Sequence, residues 1–70
     1  MWILNQDRDE IICTKNIQAI DNKISAFSED GEIETILGYY NSNARAKKIL
    51  LEIFKVKKVH KGFTYEMPKE

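Results

Sequence analysis

Between Ala46 and Phe54 the apolar residues fall at Ala46, Ile49, Leu50, Ile53 and Phe54. Their i, i+3, i+4, i+7, i+8 spacing is one stripe of an amphipathic helix. Nothing else in the chain keeps that period, and most of what precedes it reads as short β-prone runs. A helix with one apolar stripe must bury it against another layer, and one helix covers only one face of a sheet. The chain is therefore expected to be α+β: an antiparallel meander of four or five strands, one amphipathic helix packed on one face, and a C-terminal strand. Ile49, Leu50, Ile53 and Phe54 are the expected core contacts, with Arg45, Lys48, Glu52 and Lys55 on the wetter side. Ser42 is the expected N-cap. Arg45 stands where a capping box would carry Glu or Gln, so the cap is a simple one.

The strand signals are local. Trp2-Ile3-Leu4 is followed by the polar turn Asn5-Gln6-Asp7-Arg8-Asp9, and Glu10 to Thr14 fits the returning strand. Asp21-Asn22, between Ile17-Ile20 and Lys23-Ser28, fits either a two-residue hairpin turn or a bulge in one bent strand; the hairpin is favoured. Asp30-Gly31 is the firmest turn, because glycine takes positive φ without steric cost. A two-residue loop would pair Phe27 with Glu34 and Ile24 with Leu37. A three-residue loop, Glu29-Asp30-Gly31, pairs Phe27 with Ile33 and Ile24 with Ile36, and is preferred because it sets apolar side chains opposite one another. After the helix, Gly62 lets the chain turn. Phe63 to Met67 then alternates as a half-buried strand closed by Pro68.

Seventy residues form a single domain, 1–70. A domain this small buries only about 60% of the surface its unfolded chain exposes. Small scaffolds offset that with a disulfide, a metal or a second subunit. Cys13 is the one cysteine and His60 the one histidine, so there is neither an internal disulfide nor a zinc quartet. A two-fold homodimer is the expected remedy. The adjacent pairs Ile11/Ile12, Ile36/Leu37 and Tyr39/Tyr40 support it, since only one member of each can point inward and the other is left for a partner. A single cysteine suits a reducing, cytoplasmic setting. Strictly apolar runs such as Ile49-Leu50-Leu51 are far short of the ~20 residues of a membrane-spanning helix.

Net charge is zero, but its layout is not even. Residues 1–44 hold three basic and eight acidic side chains (net −5), residues 45–61 seven basic and one acidic (net +6), and residues 62–70 one basic and two acidic (net −1). An exposed basic helix face is the footprint of a phosphate contact, and Arg45, Lys48, Lys55 and Lys58 are the candidate nucleic-acid contacts. The same lysines also suit the negative end of the helix dipole and a solvated face. For contact with a protein the candidates are the aromatics Trp2, Tyr39 and Tyr40, residue types favoured at interfaces.

No catalytic residue, metal ligand set or cofactor motif is assigned. There is no P-loop, dinucleotide glycine fingerprint or His-Glu-x-x-His. His60 has no second histidine to share a metal and reads as a surface residue near the helix end. Cys13 follows Ile11 and Ile12 and reads as a small residue on a sheet face rather than a nucleophile. Asp7/Asp9, Asp30/Glu32 and Glu32/Glu34 lie in expected turns or on strand surfaces, where carboxylates solvate the chain.

Three segments carry a resemblance: Met1-Trp2-Ile3; Gly38-x-Tyr40-x-Ser42-x-x-Arg45-Ala46-x-x-Ile49-Leu50-x-Glu52-Ile53; and Tyr65-Glu66-Met67-Pro68. Together the pattern resembles small uncharacterised proteins of Gram-positive bacteria and their phages and mobile elements. The resemblance implies origin and agrees with a sheet-plus-helix fold; it implies no activity and transfers no site residue. The expected function is a non-enzymatic protein-interaction module, a phage or mobile-element accessory factor. A small nucleic-acid-binding module using the basic helix 45–61 is the alternative, and a small-ligand sequestering protein the third.

Overall fold

The computed structural model describes residues 1–59 and 64–70. The roles expected of His60, Gly62 and Phe63 lie outside the described residues. Strands β1 (Trp2–Leu4), β2 (Ile11–Cys13), β3 (Asn16–Ile20), β4 (Lys23–Phe27) and β5 (Glu34–Tyr39) precede helix α1 (Asn43–Val59), and β6 (Thr64–Glu66) follows it. The class is α+β, with one helix among the described residues and a C-terminal strand. The strands divide between two sheets rather than running as one meander: β2-β1-β6, and β3-β4-β5. Most ladders are antiparallel, but β1 and β6 pair in parallel, Trp2 opposite Thr64 and Leu4 opposite Glu66. The helix lies between these two strands in the chain, as a parallel crossover requires.

Local signals account for most turns. Ile20 pairs with Lys23 across Asp21-Asn22, so that pair is a two-residue hairpin, with Asp21 in the left-handed region at φ 54°. Asp tolerates this conformation better than most residues. Ser42 caps α1, its Oγ accepting the Arg45 N–H at 3.1 Å.

The β4–β5 register differs from the one preferred above. Phe27 lies opposite Glu34, and Ile24 opposite Gly38. Ser28 decides this by closing the loop itself: its N–H donates to the Ile33 carbonyl (3.0 Å), and its Oγ accepts the Ile33 N–H (3.0 Å). Residues 29–32 then form the loop, with Gly31 at φ 77°. Apolar partners opposite one another did not outweigh that bonded closure.

Further along the same ladder, Ser25 pairs with Ile36 while Ile24 pairs with Gly38, so Leu37 is one residue extra. This bulge inverts the alternation of β5. Leu37 and Gly38 are both buried, Tyr39 turns outward and Tyr40 inward. Gln6 fills the interrupted ladder. Its backbone N–H donates to the Leu37 carbonyl (2.8 Å), while its side-chain amide accepts from the Tyr39 N–H (2.8 Å) and donates to the Tyr39 carbonyl (2.7 Å). A Cβ on Gly38 would stand 2.8 Å from the Tyr40 hydroxyl and 3.1 Å from the Gln6 Cβ. Only glycine leaves room for both.

The core gathers Ile3 and Tyr65 from the first sheet, Ile24, Ala26 and Leu37 from the second, Ala46, Ile49 and Ile53 from α1, and Tyr40 and Met67. Phe54, expected among them, is 62% exposed, and Leu50 is only half-buried. The inward stripe runs Ala46, Ile49, Ile53 and, partly, Val56, a narrower line than the i+4 and i+8 positions implied.

The last residues are strapped to the body by side-chain donors. Arg8 donates to the Met67 carbonyl (2.8 Å), Tyr40 to that of Pro68 (2.7 Å), and Gln6 to that of Lys69 (2.8 Å). Arg45 donates to the Glu70 carbonyl through Nε (3.2 Å) and Nη2 (2.8 Å).

Candidate contact surfaces

Of the three aromatics singled out for partner contact, Trp2 (50% exposed) and Tyr39 (56%) are open to solvent, while Tyr40 (4%) is interior. They are not brought together. Trp2 shares the outer face of the first sheet with Leu4, Ile11 and Cys13, its cross-strand rows being Cys13-Trp2-Thr64 and Ile11-Leu4-Glu66. Tyr39 lies on the outer face of the second sheet, opposite Lys23. Burial, and secondarily the neighbouring Tyr65, pushes the pKa of the Tyr40 hydroxyl up to about 12; the hydroxyl donates to the Pro68 carbonyl.

The four candidate phosphate contacts also separate. Arg45 is occupied by its bonds to the Glu70 carbonyl. Lys48, Lys55 and Lys58 are exposed, and none lies in an ion pair among the described residues, where the one pair found is Lys23–Glu34. Lys48 and Lys55 are seven residues apart, two turns along one side of α1.

An apolar groove is the feature that reading the sequence missed. Met1, Ile17, Leu50, Leu51 and Phe54 line it over a floor formed by Ile53, and it encloses about 460 Å³. Leu51 is 60% exposed, and Lys15 and Lys57 stand on its rim. That volume lies within the range of ligand pockets, about 300–1,000 Å³. The sequence did carry a signal: in Ile49-Leu50-Leu51, three consecutive helical residues turn through too wide an arc to share one narrow stripe. With Ile49 buried, Leu51 must face out.

Ser25 is fully buried, and its hydroxyl donates to Glu34 Oε2 at 2.6 Å; Lys23 Nζ is 3.1 Å from the same oxygen. The Ser25 hydroxyl first, and then Lys23, hold the Glu34 carboxyl below its ordinary value. The trio ties β4 to β5. Cys13 is exposed on edge strand β2. Among the described residues no group of three His, Cys, Asp or Glu side chains converges as a metal site, and no helix is long and apolar enough to cross a membrane. No family model, curated protein or solved structure matches this chain.

Proposed function

We propose that this chain is a non-enzymatic protein-interaction module, acting through the groove between α1 and the Met1, Thr14–Ile17 side of the sheets. One observation carries the reading: α1 spends Leu51 and Phe54 on solvent, 60% and 62% exposed, beside a core that needs apolar surface. Large apolar side chains gathered in a concave, lysine-rimmed site are the surface a partner buries. Such a module fits an accessory factor of a phage or mobile element.

The test is affinity capture from a host lysate with the wild type and with Phe54→Asp in parallel, after checking that the variant keeps its circular dichroism and melting temperature. A stoichiometric protein partner, another copy of the chain included, lost only with the variant supports the reading. A partner held equally by both proteins rejects the groove as the contact.

A second reading rests on the open lysines Lys48, Lys55 and Lys58, which favour a phosphate backbone. It requires binding that weakens steeply with salt and a salt slope flattened by Lys48→Ala and Lys55→Ala. Absence of any gel shift at low salt removes it.

A further inference from the structure

The reading above leaves the occupant of the groove open, and the β4–β5 loop supplies one. Residues 29–32 carry Glu29, Asp30 and Glu32 with no basic residue among them, whereas Glu34, in β5, is paired with Lys23. Beside them Ile33 is 67% exposed, the most exposed of the large apolar side chains among the described residues. The loop is stiff. Besides the Ser28–Ile33 closure, Gly31 N–H donates to the Ser28 carbonyl (2.9 Å), Glu32 N–H to Asp30 Oδ1 (3.0 Å), and the Ser28 hydroxyl to Asp30 Oδ1 (2.5 Å). An apolar knob in an acidic collar, braced by such bonds, has less to order on binding than an unbraced loop. The groove is its complement in both respects, with apolar walls and a rim of Lys15 and Lys57.

The two surfaces also lie side by side. Thr14 and Lys15 border the groove on one flank, and on the other they border a cleft shared with Phe27, Ser28 and Glu29 at the base of the loop. Complementary patches flanking one point on the same side of a molecule can satisfy each other twice when a second copy is turned about an axis through that point.

Resting on the proposed interaction role of the groove, we infer that its occupant is a second copy of this chain. The pair is a two-fold dimer whose axis passes beside Thr14-Lys15. The Ile33 loop of each copy seats in the groove of the other, and Glu29, Asp30 and Glu32 face Lys15 and Lys57 of the partner. Charge alone would orient the encounter; burial of Ile33 against Leu51 and Phe54 holds it.

Sedimentation equilibrium over a dilution series, at low and at high salt, tests this with wild type, Ile33→Asp, Phe54→Asp and an equimolar mixture of the two variants. Both side chains are exposed, so the variants should fold, and a thermal melt checks that they do. The wild type is expected to dimerise, with an affinity that falls as salt screens the rim. Each variant alone should dimerise at least about tenfold more weakly. The mixture should recover heterodimer, because one intact groove then meets one intact loop. A wild type that is monomeric at every concentration overturns the inference while leaving a foreign occupant of the groove to the capture experiment. A dimer lost with Phe54→Asp but kept with Ile33→Asp overturns the loop as occupant. A dimer indifferent to both variants overturns the loop and removes the groove from self-association, pointing instead to the Trp2 face.

Discussion

Ile53 and Phe54 are neighbours of similar apolar character, yet one is 3% exposed and the other 62%. The same contrast appears at the end of β5, where Tyr40 is 4% exposed and Tyr39 56%. Hydrophobicity does not separate the members of either pair. Phase does. On the helix it follows from where Ser42 starts the first turn and from which line of residues meets the sheets; on the strand it follows from the bulge at Leu37. The inward members hold the fold together and the outward members form the candidate contact surfaces.

The contrast is broken most directly at Ile53. Ile53→Ala removes a buried side chain from the inward face of α1, and a loss of about 2–5 kcal/mol is expected from transfer and cavity terms together. In a seventy-residue domain that is a large share of the total stability, roughly 5–15 kcal/mol for ordinary domains. Urea unfolding measures it, and a loss near zero would show that the inward line has been misplaced.

Tyr40 tests the strand half. Its ionisation is held off to about 12, first by burial, whereas an unfolded tyrosine ionises near 10. A group whose folded pKa is raised keeps its contribution below the unfolded value and loses it as pH climbs toward the folded one. Stability should therefore fall between about pH 10 and 12, by on the order of 1–2 kcal/mol once solvent screening is allowed for. Tyr40→Phe should remove most of this alkaline slope, leaving what Tyr65, also raised by burial, contributes. Tyr39→Phe should leave the slope as it was. Equal slopes in wild type and Tyr40→Phe would contradict the assignment of Tyr40 to the interior.

How much of this was legible beforehand follows from the range of the interactions. The Ser42 cap, the Asp21-Asn22 hairpin and the split of the strand pairs Ile11/Ile12, Ile36/Leu37 and Tyr39/Tyr40 depend on residues close in sequence, and each was readable. The parallel pairing of β1 with β6 joins residues 2–4 to residues 64–66, three residues on each side, and no local pattern announces it. The register of β5 turned on the Ser28 hydroxyl and on Gln6, a side chain some thirty positions away that completes the ladder at Tyr39. As for the candidate site, Trp2, Tyr39 and the lysines were readable as residue types. The groove was not, because it needs Met1 and Ile17 beside Leu51 and Phe54, and because the helical template claimed Phe54 for the core.

Ser42→Ala sharpens the comparison with a smaller effect. Losing the Oγ acceptor for the Arg45 N–H should cost about 1 kcal/mol, within the usual 0.5–2 for such caps. It should do so without exchanging the two faces, since the packing of Ile49 and Ile53 fixes the helix once it has formed. Hydrogen exchange checks both points: faster exchange confined to the first turn is expected, with the protection of residues around Ile53 retained. Loss of protection along the whole helix would mean that the cap, rather than the packing, holds the phase.

The smallest expected effect on stability belongs to Phe54→Ala. A phenylalanine in a core would cost about 3–5 kcal/mol on truncation, but here most of the ring is already in water, and the change should stay within about 0.5 kcal/mol. The measurement must be made dilute. Any dimer that buries Phe54 would add its association free energy to the apparent stability of the wild type and make the variant look damaged for a reason unrelated to the monomer. Urea midpoints taken at two protein concentrations separate the two contributions. At low concentration the wild type and Phe54→Ala should coincide; at high concentration the wild type alone should gain, and Ile33→Ala should lose that gain to a similar extent. A deficit for Phe54→Ala that is large and independent of concentration would return the ring to the core and close the groove, and with it the reason for assigning the outward side of α1 to contact.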